Sequence, residues 1–166
     1  MKTLYLMRHA KSDWADANQT DFDRGLNARG KKDAPKMCSI IDHIKDEPQH
    51  FFISTAKRAR KTIDPIFSTI SSKITFSDKL YSFTGSDYIR FIQEVPEQYN
   101  SIFLLGHNPS IEFLVSFLLN TDSGSIRVPT SSLIKMEIET DSWSVLKAGS
   151  GILNYFLHPK IVAKIT

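Results

Sequence analysis

The chain has 166 residues, 41% of them hydrophobic, and a formal net charge of +3. This length suits one globular domain with a single core, so we expect one domain over residues 1–166. No run approaches the roughly 18 apolar residues that cross a bilayer, and no signal-peptide pattern precedes the first strand, so we expect a cytoplasmic protein. The single cysteine, Cys38, excludes an internal disulfide and is expected to be a buried thiol.

The charge pattern does not favour nucleic acid as a partner. The Lys and Arg residues are scattered among nearly as many acids and form no long basic block, although the sequence pI is about 8.9. A modest positive bias suits an anionic ligand equally well. The five histidines show no pair at the spacing of metal ligands, so we expect neither a metal site nor a cofactor.

The first half of the chain alternates predicted strands and helices. The run LYLM at 4–7 is typical of a buried strand, and Asn27 is a good N-cap for the helix that follows it. HFFIS at 50–54 predicts a second strand. TAKRARKTIDPIFSTI at 55–70 and DYIRFIQEV at 87–95 predict two more helices.

The second half begins with a strand, SIFLL at 101–105, which leads through GHNP into a helix at 110–119. In the stretch 131–149, apolar and charged residues alternate up to a turn at 140–142, which predicts an antiparallel hairpin at a sheet edge. A last strand is expected at 152–157. Strands alternating with helices predict an α/β fold, a three-layer αβα sandwich whose sheet is mostly parallel with an antiparallel edge hairpin.

Unusual polar residues follow three of the predicted parallel strands. Arg8 and His9 come after the first strand, Arg58 after the second, and His107 after SIFLL. Because the carboxyl ends of parallel strands lie on the same side of a sheet, these four side chains are expected to converge in one crevice. Two guanidinium groups and two imidazoles around one point favour a dianion such as phosphate.

The turns around these residues also suit an anion. Ser54 or Thr55 is expected to cap the helix that carries Arg58, leaving backbone N–H groups free for a phosphate. Asn108 is expected to be the N-cap, and Pro109 the first residue, of the helix after His107.

Each feature has an ordinary structural interpretation when taken alone. Arg8 and His9 can be a solvated pair, Arg58 part of a solvated basic helix face, and GHNP a simple turn. Their common position after strand ends favours function. The aromatic residues Trp14, Phe22, Tyr81 and Phe83 can line a pocket or fill the core, and we expect two of the four in the core.

At these residues the sequence resembles the histidine phosphatase superfamily, with its phosphoglycerate mutase-like fold, in the short branch that includes the SixA-type phosphohistidine phosphatases. The stretches LYLMRHAKSDW, DFDRGLNARGKKDAP, STAKRARKT, LLGHNPSIEFL and DSWSVLKAGSG carry the resemblance in this order. The resemblance implies that His9 is the nucleophile, that Arg8 and Arg58 bind phosphate, and that a protonated His107 is the second active-site histidine. It also implies hydrolysis through a phosphohistidine intermediate without a metal.

One departure from the family bears on the substrate. Many members carry a glutamate that protonates the leaving group, where this chain has Ser82. Asp21 matches an aspartate of the SixA-type branch and is a candidate acid, with an exposed turn aspartate as the alternative. Arg24 is a candidate for the pocket rim.

The missing acid favours N–P over O–P substrates. The expected substrate is a protein phosphohistidine or another small phosphorylated compound. A non-catalytic phosphate-binding module, and a phosphomonoesterase or mutase-like enzyme acting on small metabolites, stay open as alternatives. No nucleic-acid or membrane partner is expected, and the oligomeric state is left open.

Overall fold

The fold is built on one six-stranded mixed sheet. A computed structural model describes residues 1–44 and 47–165. Its strands are β1 (Lys2–Arg8), β2 (His50–Ser54), β3 (Lys73–Ser77), β4 (Ser101–Gly106), β5 (Leu133–Ile138) and β6 (Gly151–Leu157). Its helices are α1 (Ala28–Ile41), α2 (Lys57–Ile63), α3 (Gly85–Gln93), α4 (Ser110–Leu119) and α5 (Pro159–Ile165).

The strand order is β3-β2-β4-β1-β5-β6. The first four strands in this order are mutually parallel, whereas β5 runs antiparallel to β1, and β6 antiparallel to β5. The predicted parallel sheet with an antiparallel hairpin at one edge is therefore confirmed. The carboxyl ends of β1, β2 and β4 lie side by side at the centre of the parallel part.

Both faces of the sheet are covered, as the apolar run in β1 requires. Leu4 and Leu6 pack in one core with α3 and α4, while Tyr5 and Met7 pack in a second core with α1, α2 and α5. All four side chains are fully buried. The three-layer αβα arrangement is thus confirmed. None of the helices in the described ranges is long and apolar enough to cross a membrane.

Helix α1 begins and packs as its sequence indicates. The side chain of Asn27 accepts a hydrogen bond from the backbone N–H of Gly30 at 2.9 Å, which confirms the predicted N-cap. On the buried face, the Cys38 thiol is fully buried and donates to the carbonyl of Thr62 at 3.1 Å. Burial raises the pKa of Cys38 to about 12, so this thiol is inert near neutral pH.

Several elements differ from the sequence-based expectation. Strand β3 and helix α5 were not predicted. Helix α2 ends at Ile63, far short of residue 70, because Pro65 follows in a 3-10 turn over Asp64–Ile66. The second strand expected after the turn at 140–142 is wrong, because a 3-10 turn over Trp143–Val145 stands there, and the strand expected separately at 152–157 is the one that pairs with β5.

Candidate active site

The four residues that the sequence singles out meet at the carboxyl ends of β1, β2 and β4. The rings of His9 and His107 lie 4.9 Å apart between centroids, and Nε of Arg58 lies 3.2 Å from Nε2 of His9. Arg8, His9 and Arg58 line a cavity of about 200 Å³. The predicted convergence is found because parallel strands bring residues about fifty positions apart to one edge.

His9 is held in one tautomer by the backbone. Its Nδ1 lies 2.7 Å from the carbonyl oxygen of Ala10, and since a carbonyl only accepts, Nδ1 carries the proton and donates it. Nε2 then has a free lone pair, which accepts a hydrogen bond from Nε of Arg58. Burial, with a smaller contribution from the charges of Arg58 and Arg8, lowers the pKa of His9 from 6.5 to about 3. The ring is therefore a neutral imidazole at physiological pH.

His107 is the deepest of the four residues. It is fully buried, and its Nε2 shares a hydrogen bond of 2.8 Å with the hydroxyl of Ser54. Burial lowers the pKa of His107 to about 2, and the proximity of His9 and Arg58 adds to this effect. In the empty pocket His107 is therefore a neutral imidazole, and the protonated form that the resemblance implies for the reaction stays a prediction.

Arg58 is oriented by Asp21 and extends across the pocket. Its guanidinium is 4% exposed and donates both to the carbonyl oxygen of Asp21 at 2.6 Å and to Oδ2 of the same residue at 3.0 Å. Tyr81 donates its hydroxyl to the same Oδ2 at 2.6 Å. These contacts clamp Arg58 from the side opposite His9.

Asp21 is ionised in this arrangement. Partial burial raises its pKa, but the hydrogen bond from Tyr81 and the charge and hydrogen bond of Arg58 outweigh burial and lower the pKa below its usual range. The carboxylate accepts hydrogen bonds and has no proton to donate at neutral pH. It is not a bare turn aspartate either, because it contacts a buried arginine.

Arg8 and Arg24 occupy different positions at the pocket. Arg8 donates from one terminal nitrogen to the carbonyl of Val128 at 2.7 Å, while its buried Nε has no hydrogen-bond partner among the described residues. Arg24 stacks over the ring of Trp14 at 3.7 Å and lies 3.6 Å from a carboxylate oxygen of Asp21. Arg24 therefore links Trp14 and Asp21, two residues of the loop that borders the pocket.

Two expectations about helix starts are wrong. The N-cap of α2 is Ala56 rather than Ser54 or Thr55, and it makes no side-chain cap hydrogen bond. Helix α4 begins at Ser110 with Pro109 as its cap, while Asn108 donates its side-chain amide to the carbonyl of Val128 at 3.0 Å. Instead of capping helices, the side chain of Ser54 contacts His107 and that of Asn108 contacts the loop at Val128.

The aromatic residues near the pocket lie on its rim and not in the core. Trp14 is 65% exposed and Phe83 is 50% exposed, and both line the cavity. Phe22 and Tyr81 pack edge to face with ring centroids 5.2 Å apart, and neither is buried. The expectation that two of the four fill the core is wrong, because none of the four is buried.

Sequence reasoning named Ser54 and Tyr81 near the pocket but missed their contacts, and it missed one loop altogether. Ser54 contacts His107, Tyr81 contacts Asp21, and the loop at 128–131 closes one wall through Val128 and Thr130. A serine at the end of the second strand was a usable signal, because it stands at the same sheet edge as His107. The loop carried no such signal, since it precedes β5 without a periodic pattern.

The lowered pKa values of the buried His9 and His107 predict a loss of stability in mild acid, and the buried His50, whose pKa burial also lowers, adds to it. Below pH 6.5 the unfolded chain takes up protons on both imidazoles, whereas the folded chain does not until its pKa values of about 3 and 2 are approached. Lowering the pH from 6.5 to about 5 should therefore reduce the free energy of unfolding by about 3 kcal/mol. Carboxylates titrate mainly below this window, so urea unfolding at the two pH values isolates the histidines.

The variant His107→Gln provides the control for this experiment. It removes one of the two imidazoles of the pocket while His9 and His50 remain, so the fall in unfolding free energy over the same window should shrink by up to about half. An unchanged wild-type stability between the two pH values would contradict the neutral, buried state of both rings.

Within residues 1–44 and 47–165, no group of three or more His, Cys, Asp or Glu side chains is placed to hold a metal ion. The pocket is instead lined by guanidinium groups and neutral imidazoles. This set of groups suits binding of an anion with several oxygens.

Known proteins resemble the whole of this fold. An uncharacterised chloroplastic protein of Arabidopsis thaliana is 28% identical over 161 residues, which are 90% of this chain and 72% of that protein. A structure from Agrobacterium tumefaciens, described as a candidate phosphohistidine phosphatase SixA, is 28% identical with a TM-score of 0.80, covering 95% of this chain and 98% of the other.

A structure of the protein histidine phosphatase SixA complexed with tungstate has the same fold. It is 19% identical with a TM-score of 0.77, and the match covers 96% of this chain and 99% of the other. The family model of the histidine phosphatase superfamily, branch 1, matches residues 4–88, just over half of the 166 residues. That segment includes Arg8, His9 and Arg58, three of the four residues that meet in the pocket. The chain therefore belongs to the histidine phosphatase superfamily.

Proposed function

We propose that the protein is a metal-independent phosphatase that acts through a phosphohistidine intermediate on His9. Its proposed substrate is a protein phosphohistidine or another small phosphorylated compound. The state of His9 carries the proposal. Its Nδ1 proton is fixed on the Ala10 carbonyl, so Nε2 is free to act as a nucleophile beside the buried charge of Arg58.

The first step is an in-line displacement at phosphorus. Nε2 of His9 forms the new N–P bond while the bond to the leaving group breaks, and the leaving group takes up a proton. The phosphoryl oxygens displace Nε2 of His9 as the partner of Arg58, and they also meet Arg8. Such preorganised donors contribute about 3 to 4 kcal/mol each to transition-state stabilisation at the strong end of their range.

The second step hydrolyses the intermediate. Water attacks phosphorus, the N–P bond to His9 breaks, and inorganic phosphate leaves. The carboxylate of Asp21, which is ionised and adjacent to Arg58, is a suitable acceptor for the proton that this water loses. We therefore propose that Asp21 acts first as a general base. Once it has taken up the proton, its carboxyl group can act as an acid, the role that the sequence suggested.

His107 changes its charge with ligand binding in this mechanism. In the empty pocket it is neutral. A dianionic phosphoryl group beside its ring raises the pKa of His107, because an opposite charge favours the protonated imidazole. We propose that His107 binds a phosphoryl oxygen in the protonated form only while the pocket is occupied.

The lack of a general acid for the leaving group supports a substrate with an N–P bond. Ser82, at the position of the family glutamate, donates its hydroxyl to Asp87 at 2.6 Å and so is directed towards helix α3. Among the described residues, the pocket therefore holds no carboxyl group that is protonated at neutral pH. A phosphohistidine that is protonated on its other ring nitrogen expels a neutral imidazole, a weak base whose conjugate acid has a pKa of about 6.5, whereas an alkyl phosphate without a general acid must expel an alkoxide, a much stronger base and a poorer leaving group. The names of the SixA structures indicate the same substrate class.

A comparison of substrates tests the proposed function. The purified protein should hydrolyse a phosphohistidine peptide at least about 100-fold faster, in kcat/KM, than an alkyl phosphate monoester, because only the monoester needs a strong general acid. Added chelator should leave both rates unchanged.

Two outcomes would contradict this proposal. Faster turnover of the monoester would indicate a phosphomonoesterase acting on small metabolites. Loss of activity with chelator, restored by Mg²⁺, would show that the arginines and His107 do not supply the charge stabilisation.

A further inference from the structure

A second cleft, rich in positive charge, lies beside the candidate active site. It has a volume of about 540 Å³ and runs between α1, the loop at 129–130 and the start of α5. We call it the basic cleft and define it by its basic lining residues, Arg29, Lys32, Lys36, His158 and Lys160. The sequence contains no long basic block, so this concentration of charge arises only when α1 and α5 come together.

The positions of the α1 residues explain how one side of the cleft forms. Arg29, Lys32 and Lys36 are spaced by three and four residues, which places them along one helical face. The opposite face of α1, with Met37 and Ile41, is buried in the core. The cationic face is therefore fixed by the packing of the helix.

The charge in the basic cleft is largely uncompensated. Asp33 is its one acidic lining residue, and it pairs with Nε of Arg29 at 3.3 Å. Lys32, Lys36 and Lys160 make no ion pair with any residue of the described ranges. Like charges four residues apart on a helix repel each other and destabilise it slightly, so Lys32 and Lys36 contribute nothing to the fold by their charges.

The basic cleft shares a wall with the active-site pocket. Thr130 lines both cavities, and its hydroxyl accepts a hydrogen bond from Arg29 at 3.2 Å. The next residue, Ser131, donates its backbone N–H to the carbonyls of Arg8 at 3.1 Å and His9 at 3.2 Å. A chain that leaves the pocket over Thr130 therefore enters the basic cleft directly.

The small size of the active-site pocket makes such an extension necessary for a large substrate. At about 200 Å³ it is smaller than the 300 to 1,000 Å³ typical of ligand sites, so it holds a phosphoryl group and little more. The rest of any protein substrate lies outside it, on the adjoining surface.

We propose that the basic cleft binds acidic side chains of the polypeptide that carries the phosphoryl group. This proposal rests on the proposed function, whose substrate it narrows to phosphohistidine in an acidic setting. Several lysines suit a row of carboxylates, because each flexible ammonium group acts as a separate point charge. The lining has no Phe, Tyr or Trp ring on which successive nucleobases could stack and holds His158 as its one aromatic side chain, so the cleft fits a polypeptide better than a nucleic acid.

Two phosphohistidine peptides of equal length, one flanked by Asp and Glu and one by Ser and Ala, provide the test. The wild-type protein should prefer the acidic peptide about tenfold in kcat/KM at low salt, since electrostatic steering raises association rates by 10-fold or more. The preference should disappear in about 0.5 M salt, where surface charges are screened.

Matched variants locate the effect. The double variant Lys32→Glu and Lys36→Glu should abolish the preference for the acidic peptide. It should not change the hydrolysis of free phosphoramidate, because this small molecule does not extend from the pocket into the basic cleft. Lys31→Glu with Lys73→Glu alters the net charge equally at exposed positions that do not line the cleft, and should keep most of the preference. Equal rates on the two peptides, or a preference that survives the cleft variant, would overturn the proposal.

A binding measurement separates this proposal from the proposed function. The unphosphorylated acidic peptide should bind the wild-type protein at least about tenfold more tightly than it binds the cleft variant, by calorimetry at low salt. The difference in binding is expected even if the protein hydrolyses neither the peptides nor phosphoramidate. Such a lack of hydrolysis would refute the proposed phosphatase function and leave the proposal for the cleft standing. If a small molecule with two phosphates competes for the cleft and the acidic peptide does not, the ligand is a second phosphate and the polypeptide assignment is wrong.

Discussion

Replacing His9 with Ala should abolish turnover of a phosphohistidine peptide, with a loss of at least about 1,000-fold in kcat. The reason is that, among the described residues, Nε2 of His9 is the imidazole nitrogen that lies against Nε of Arg58 at the pocket surface. Mass spectrometry after an alkaline quench, which preserves N-phosphate, should find a transient phosphate on His9 of the wild-type protein and none on the variant.

The variant also distinguishes an enzyme from a phosphate-binding module. Arg8 and Arg58 remain in His9→Ala, so inorganic phosphate should still bind and raise the melting temperature of the variant. A non-catalytic module would show the same binding, but its wild-type form would release no phosphate and carry no phosphohistidine.

A histidine far from the pocket provides the control for this experiment. His43 is exposed just beyond α1, and His43→Ala should retain full activity. His9→Gln guards against a folding defect, because its side-chain amide can still donate to the Ala10 carbonyl while lacking a nucleophile. Residual activity close to wild type in both His9 variants would contradict the assignment of the nucleophile.

The backbone framework of this site could be predicted from the sequence because its signals are local. A continuous apolar run such as 4–7 indicates a strand buried on both faces, and the alternation of such strands with helices indicates that β1, β2 and β4 run parallel. Once the strands are parallel, the positions of Arg8, His9 and His107 at one edge follow from chain direction alone. No three-dimensional information beyond the strand order is needed.

The protonation states could not be predicted, because they depend on packing between distant elements. His107 is neutral since α4 and the ends of β2 and β4 exclude water from it, and the burial of a side chain cannot be read from GHNP. The same applies to Ser54. The hydroxyl of Ser54 can cap a helix or form a hydrogen bond with an imidazole. It bonds to His107 because β2 and β4 are neighbours in the sheet.

Strand β3 and the basic cleft were missed for a related reason. In KITFS only Ile74 and Phe76 are apolar, and a five-residue edge strand with one half-buried face gives too short an alternation to stand out. The cleft joins α1 to α5 across more than a hundred residues of chain, so a search for basic runs cannot find it.

Replacing Arg58 with Lys should lower kcat/KM by about 100- to 1,000-fold, although the positive charge is kept. Three donor nitrogens of Arg58 reach three separate acceptors: the carbonyl of Asp21, its carboxylate, and Nε2 of His9. A lysine ammonium is a single point on a flexible stem and cannot hold Asp21 while also presenting two donors to a phosphoryl group. Steady-state kinetics on the phosphohistidine peptide measures the effect.

The pH dependence of the Arg58 variants separates geometry from charge. Arg58→Lys keeps a cation near His9, so the pKa of His9 should stay low and the acid limb of the kcat/KM profile should stay near its wild-type position. Arg58→Met removes that cation, so the pKa of His9 should rise, although burial still holds it below 6.5, and the acid limb should move to higher pH. The pKa of Asp21 should rise as well, because its strongest positive neighbour is gone.

Arg60→Lys is the matched control, since Arg60 lies half a turn further along α2, is exposed and stacks over Phe76 at 4.6 Å from the ring centroid. It should leave both the rate and the pH profile unchanged. If Arg58→Lys were as active as Arg60→Lys, charge alone would suffice in the pocket, and the clamp formed by Asp21 and Tyr81 would have no part in catalysis. A large loss confined to Arg58→Lys would instead show that catalysis by Nε2 of His9 requires the planar guanidinium group in the fixed orientation that Asp21 gives it.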